Sequence, residues 1–245
     1  MPLMPVSGRV EGPSWLGIGA QRSGTTWFTD LLTQHPQLGL GTNGKKEQHL
    51  LHKVADGLVP AADYLSLFPG DDLRRGEWTP QYLRHASAPA AAARLVPDAP
   101  VLVLLRDPVD RFRSAMRLAA TRSAAGNPSP WPYPVPITVQ TFTGFYADQL
   151  DAWAGAVGRD RMTVLVYEQV RRAPQPAVDD VWRRVGLDPV PLARVDEASG
   201  SSSRADWDWP EGLREALQVM YRPQLARLER DWGLDLSDWT STRER

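Results

Sequence analysis

Residues Trp15–Trp27 read WLGIGAQRSGTTW: an apolar run, a glycine-rich turn dense in hydroxyls, then the start of an amphipathic segment. A strand that passes through such a turn into a helix aims backbone N–H groups and the positive end of the helix dipole at one spot, which suits a phosphate. Counted from Gly19, GAQRSGTT has the outline of the loop GxxxxGK[ST], but Thr25 stands where the lysine belongs. That lysine reaches the outer phosphates of a nucleoside triphosphate. The loop therefore argues for a phosphorylated ligand and against ATP or GTP.

Working outward, Pro100–Leu105 (PVLVLL) is apolar on both faces, as a covered central parallel strand must be. Trp15–Ala20 and Met162–Tyr167 read the same way, and a shorter strand is expected near Arg75–Trp78. Helical stripes lie between them. Trp27, Phe28, Leu31 and Leu32 make one, ended by His35-Pro36; Val109, Phe112, Met116 and Ala119 make another. The longest steps through Val139, Phe142, Tyr146, Leu150, Trp153 and Val157. A fourth carries Val178, Val181, Trp182 and Val185, and the last runs from Leu213 through Leu217 and Met220 to Leu228, interrupted at Pro223. Strands alternating with helices imply an α/β fold: one P-loop-like domain over residues 1–245, core about 15–235, whose central, mostly parallel sheet has helices on both faces. Ligands in such folds bind beyond the carboxyl ends of the strands. The proline-rich stretch Arg122–Ile137 reads as a loop within that domain.

Composition narrows the classes. Lys and Arg total 28 against 29 Asp and Glu, a net charge of -1, so no general attraction to nucleic acid or to an acidic membrane is expected. Without cysteine there is no disulfide, zinc thiolate site or thiol catalysis. The first twelve residues lack the apolar core of a signal peptide, and no stretch approaches the ~18 apolar residues of a membrane span.

A second loop leaves the PVLVLL strand as Leu105–Ser114, LRDPVDRFRS, with Pro108 near the first helical position. Arg106 offers a bidentate fork for a phosphate, and Ser114 lies two turns on, along the same helix. Arg106 pairing with Asp107 or Asp110 as a structural bridge is the alternative. Two anion sites in one crevice suit a ligand with two separate phosphates. Asp110 is expected to cap its helix or to pair with Arg113 or Arg117.

These segments carry a resemblance. GAQRSGTTW resembles the 5′-phosphosulfate loop of sulfotransferases that use 3′-phosphoadenosine 5′-phosphosulfate (PAPS), and RDPVDRFRS resembles their 3′-phosphate motif, RDPxxRxxS. Lys46-Glu47-Gln48-His49 resembles the KExHF stretch of the heparan-type glucosaminyl sulfotransferases and their bacterial relatives; Glu77-Trp78-Thr79-Pro80-Gln81-Tyr82 resembles their EKTPxY segment. With neither signal peptide nor membrane span indicated, a soluble cytoplasmic enzyme is expected, and the resemblance implies that it needs no metal. It would pass a sulfuryl group from PAPS to a small-molecule or glycan acceptor and release adenosine 3′,5′-bisphosphate (PAP). It implies that amides of Ser23, Gly24 and Thr25 and the hydroxyls of Thr25 and Thr26 hold the 5′-phosphate, with Trp27 counted in the cofactor site. Arg22 would stabilise charge developing on the sulfuryl group. Arg106 and Ser114, with Ser201 and Arg204 of a late loop, would hold the 3′-phosphate. Glu47 matches the general base and His49 ranks second.

The chain departs from the pattern twice. Trp78 replaces a lysine of EKTPxY, leaving Lys45 or Lys46 to supply a cation, and Gly200–Arg204 lacks the usual lysine-glycine-arginine. Trp78, Trp131 and Tyr133 are the candidates for acceptor contact, with packing as the alternative for each. His35 reads as structural, His52 and His85 as surface residues, and Trp207, Trp209, Trp232 and Trp239 as packing. Two other classes stay open at this point: a nucleotide-dependent kinase, which would want the missing lysine and a magnesium aspartate, and a non-catalytic nucleotide-binding protein indifferent to loss of Glu47.

Overall fold

The computed structural model describes residues 12–126, 135–195 and 207–242. Five parallel strands lie among them: β1 (Trp15–Gly19), β2 (Leu38–Leu40), β3 (Arg74–Trp78), β4 (Val101–Leu105) and β5 (Met162–Val166). Their order is β2-β3-β1-β4-β5. β1 is therefore central, with β3 and β4 on either side, and the chain reverses its direction of travel across the sheet there. The crevice at such a switch point opens at the carboxyl end of β1, where the glycine-rich loop begins.

Period-two alternation divides the core. Leu16, Ile18, Val101, Val103 and Leu105 face one apolar cluster. Trp15, Leu102, Leu104 and Trp78 face the other. Both faces of β1 and β4 are thus covered, which accounts for their unbroken apolar sequence. The helices that cover them are α1 (Thr25–Leu32), α2 (Leu51–Ala55), α3 (Ala61–Leu65), α4 (Ala88–Leu95), α5 (Pro108–Ala124), α6 (Val135–Thr143), α7 (Tyr146–Val157), α8 (Tyr167–Arg172), α9 (Pro174–Arg184) and α10 (Leu213–Trp232).

Three expectations need correction. The longest stripe is not one helix, because the chain breaks between Thr143 and Tyr146. A side chain at Gly144 would strike Tyr221 of α10, whose hydroxyl donates to Thr141 O at 2.9 Å, so the chain turns at that contact. Met220 lies outside the core at 43% exposure, while α10 runs through Pro223 as a single element. The third concerns Trp78. It is fully buried, meets Phe28 edge-on at 5.8 Å, and donates its indole N–H to Gly19 O at 3.1 Å. An acceptor has no access to it. Gly17 is the counterpart of this packing, since any Cβ there would run into the Trp78 ring. Among the described residues no helix is long and apolar enough to cross a membrane.

Trp78→Ala should therefore lower folding stability by about 3–5 kcal/mol. A drop in the urea midpoint at unchanged slope checks it.

Candidate active site

The loops leaving the strands at their carboxyl ends converge on one face of the sheet. At the end of β1, Arg22 adopts φ 71, in the left-handed region, and Gly24 follows at φ 84. Gly24 is the N-cap of α1 and no side chain caps that end. The first-turn amides of α1 are consequently available to an external acceptor, in the arrangement that favours anions. Glycine is required at 24 for a second reason: a Cβ there would collide with the ring of Tyr167, the first residue of α8.

The end of β4 is built differently. Asp107, nearly fully buried, caps α5 with its own side chain, Oδ1 accepting from Val109 N at 2.9 Å and Asp110 N at 3.4 Å. The cap is Asp107 and not Asp110. Its other oxygen, Oδ2, accepts from Thr240 Oγ1 at 3.0 Å and Ser241 N at 2.9 Å, so the C-terminal segment is fastened to this loop. Glu168 adds to the clamp, accepting from Trp239 Nε1 at 2.7 Å and Asp107 N at 3.2 Å; burial raises its carboxyl. With the α5 terminus already satisfied, any anion bound here falls to side chains.

Arg106 supplies one. Its guanidinium lies 5.3 Å over the Tyr167 ring, its carbonyl accepts from the Tyr146 hydroxyl at 3.0 Å, and its Nε is buried with no hydrogen-bond partner among the described residues. Tyr167 also meets Trp27 edge-on at 6.1 Å, so one ring backs Arg106, Gly24 and Trp27 together. The two loops touch directly, Arg22 Nε donating to Ser114 Oγ at 3.3 Å. Burial lowers the Arg22 pKa, and the nearby charges of Arg106, Arg122 and Arg111 lower it further. Arg111 is itself fully buried; its Nη1 donates to Gln140 Oε1 at 2.8 Å and its Nη2 to the Gln140 carbonyl. Three guanidiniums thus crowd one place, and none makes an ion pair among the described residues.

The segment after β2 brings the third component. Lys46 Nζ donates to Thr25 Oγ1 at 3.2 Å and Thr26 Oγ1 at 3.1 Å, and lies 2.9 Å from Glu47 Oε1. The cation that Thr25 displaces from the loop's own sequence is therefore delivered from another segment. Glu47 Oε2 lies 3.2 Å from His49 Nε2, so both candidate bases sit in one cluster with the lysine. His49, like Arg22, has positive φ, at 55. Ser23 is fully buried beneath the loop and Thr26 is exposed.

Ser201, Arg204, Trp131 and Tyr133 lie outside the described residues. His52 and His85 are not isolated surface residues, because their rings lie against each other, centroids 4.5 Å apart and planes tilted by 38°. Sequence reasoning missed Tyr167, the place of Lys46 over Thr25, and Glu77. Glu77 is a fully buried carboxylate that burial pushes up to about 7 against hydrogen bonds from Thr79, Gln48 and Tyr82. Its signal was the E-x-T-x-x-Y spacing at the end of a strand. Among the described residues no group of three or more His, Cys, Asp or Glu could hold a metal ion.

Comparison with known proteins identifies the family. Residues 61–191, over half of the chain, match the sequence profile of a sulfotransferase family. A mouse bifunctional heparan sulfate N-deacetylase/N-sulfotransferase 3 is 25% identical over 198 residues, covering 72% of this chain and 22% of its own length. A Caenorhabditis elegans relative of the same description is 32% identical over 104 residues, 42% of this chain and 12% of its own. The chain thus spans about a fifth of the curated relatives it matches first. A solved sulfotransferase from Alicyclobacillus acidocaldarius superposes with a TM-score of 0.73 at 25% identity, covering 94% of this chain and 99% of that one. A mouse sulfotransferase complexed with PAP shares the fold at 12% identity and TM-score 0.54, covering 92% of this chain and 89% of its own. The profile match extends over β3, β4, the whole of LRDPVDRFRS and β5, and on that extent the chain belongs to the sulfotransferase family.

Proposed function

We propose that the chain acts as one sulfotransferase domain that moves a sulfuryl group from PAPS to a hydroxyl of a carbohydrate, or of a glycosylated or small secondary metabolite. The observation that carries this reading is the Arg22 Nε–Ser114 Oγ hydrogen bond at 3.3 Å. It makes one continuous basic surface of two loops that each favour an anion, and a bisphosphorylated nucleotide has two anions to offer. A nucleoside triphosphate would leave the Arg106 and Ser114 end unused.

The residues present fit such a ligand. The uncapped first turn of α1, with Thr25, Thr26 and Lys46, suits the 5′ end. The buried, unpartnered Nε of Arg106, with Ser114, suits the 3′-phosphate. PAPS supplies the electrophilic sulfuryl group when bound. Arg22 gains most from an anion, since burial and its neighbours already disfavour its charge. Lys46 bridges the two halves of the site, one side on the threonine hydroxyls and the other on Glu47 Oε1. Glu47 then has Oε2 to take the proton of the acceptor hydroxyl. His49 Nε2, 3.2 Å from that oxygen, orients it and is the second candidate for the base. Positioning and charge stabilisation carry the rate in this scheme.

PAP should raise the melting temperature more than ATP with magnesium does in a thermal-shift assay; the reverse order favours the kinase class. Glu47→Gln should cost roughly 100-fold or more in kcat while PAP affinity holds, whereas His49→Asn should cost less. Loss of PAP binding and turnover together would make Glu47 a shaping residue. Arg106→Ala should weaken PAP binding by roughly 10–100-fold in calorimetry, with unchanged affinity removing it from the 3′ site. Lys46→Met should lower kcat and PAP affinity together by about tenfold each, because it touches both halves. Labelled PAPS offered to glycans, phenols, natural-product alcohols and amines identifies the acceptor, and labelling of amines alone overturns the hydroxyl assignment.

A further inference from the structure

Four successive backbone N–H groups of the loop that carries Glu47 donate to three side chains at the end of β3. Gln48 N donates to Glu77 Oε2 and to Thr79 Oγ1, each at 3.0 Å. His49 N donates to Thr79 Oγ1 at 3.3 Å. Leu50 N and Leu51 N donate to the Tyr82 hydroxyl at 3.0 and 3.1 Å. The two hydroxyls in turn donate to the same carboxylate, Thr79 Oγ1 to Oε2 at 2.6 Å and the Tyr82 hydroxyl to Oε1 at 3.0 Å. All three side chains are fully buried.

We infer that Glu77, with Thr79 and Tyr82 as its arms, is a positioning residue that fixes the Lys46–Leu51 loop and so presents Glu47 and His49 to the transfer site. The inference rests on reading Glu47 as the base. Its physical ground is that residues 48–50 have no regular secondary structure to satisfy their N–H groups, and a buried donor left unpaired is costly. The loop also holds His49 at φ 55, a conformation a non-glycine residue keeps only when its surroundings impose it. Both hydroxyls are saturated, each giving its proton to Glu77 and its lone pairs to the loop. Removing the carboxylate leaves them with no fixed direction.

The surroundings make the charge on Glu77 matter. No ion pair involves it among the described residues. The titratable groups around it are Tyr64 of α3 and Tyr82, both raised by burial and so neutral, then His52 of α2 against the Tyr82 ring and His49 on the loop itself. Burial pushes the Glu77 carboxyl up to about 7. Ionised, it only accepts hydrogen bonds. Protonated, it turns one oxygen into a donor facing other donors, so the ionised carboxylate makes the fuller set of hydrogen bonds to the closed loop.

Hydrogen–deuterium exchange on the whole chain tests this, with Glu77→Gln and with Tyr82→Phe, which keeps the ring and removes the acceptor of Leu50 and Leu51 together with the donor to Glu77 Oε1. The 46–51 segment should exchange at least about tenfold faster in both variants, while β1 and β4 stay protected. PAP affinity should hold within about twofold, and kcat with the best acceptor of the panel should fall about tenfold at unchanged acceptor KM. Unchanged exchange at 46–51 in both variants overturns the inference. So does faster exchange throughout the molecule in both, which would make the trio part of the general scaffold. Full turnover in Glu47→Gln with the loop response intact removes Glu47 as base and leaves the positioning role standing.

Discussion

Arg22, Arg106 and Arg111 are held together at the ends of β1 and β4, and no carboxylate forms an ion pair with any of them among the described residues. Burial alone makes Arg22 a poorer cation, and the other guanidiniums add to that. Like charges brought this close in a partly desolvated place cost on the order of a few kcal/mol. Each member also has an uncharged partner. Arg106 is held by its carbonyl on Tyr146 and its face on Tyr167, Arg22 by Ser114, and Arg111 by Gln140, with the Asp110 carboxyl close enough to feel the Arg106 charge. On electrostatic grounds such a cluster favours an anion.

The rest of the architecture serves that demand. β1 must be central so that its loop lies beside the β4 loop, and its glycine at position 17 must admit Trp78 from β3. Asp107 satisfies the start of α5 and simultaneously anchors Thr240 and Ser241, while Glu168 ties Trp239 to the same turn. The C-terminal segment is thereby a brace across the basic cluster. The two helix starts contrast: α5 is capped by its own residue, whereas α1 is left open. Under the proposed function the 5′ end of the nucleotide meets the open one, and the 3′-phosphate meets Arg106 and Ser114 beside the capped one.

Much of the fold was legible because β1 and β4 are short runs apolar on both faces and β5 nearly so, a pattern that suits covered parallel strands. β2 was invisible as the three residues Leu-Gly-Leu, and α2, α3 and α4 are too short or too alanine-rich to show a stripe. The Val139–Val157 stripe kept its period across a real break, because the turn at Gly144 is dictated by Tyr221, about eighty residues later in the chain. The loops after β1 and β4 were legible as strand-to-helix turns because backbone geometry and residue type are local. Lys46 was not, since its partnership with Thr25 and Thr26 exists only after β2 folds back along β3. Trp78 was misplaced for the opposite reason. Its neighbours in sequence belong to the site, but its side chain alternates to the packed face.

Glu77 shows what stability alone would not have selected. Its carboxyl moves from 4.5 to about 7 on burial, so the folded state binds its proton more tightly than the unfolded chain does. The sign is then fixed. The favourable contribution is complete below about 4.5 and is lost as pH rises to about 7, leaving a neutral-pH fold weaker by roughly 3 kcal/mol than it would be with the proton retained. Set against the roughly 5–15 kcal/mol that holds a domain together, that is a large concession. A buried apolar residue of the same size would avoid it, but would leave the Gln48 amide and the Thr79 and Tyr82 hydroxyls without the acceptor that fixes them. On the positioning role inferred above, the residue is a stability cost borne to hold the Lys46–Leu51 loop in one conformation.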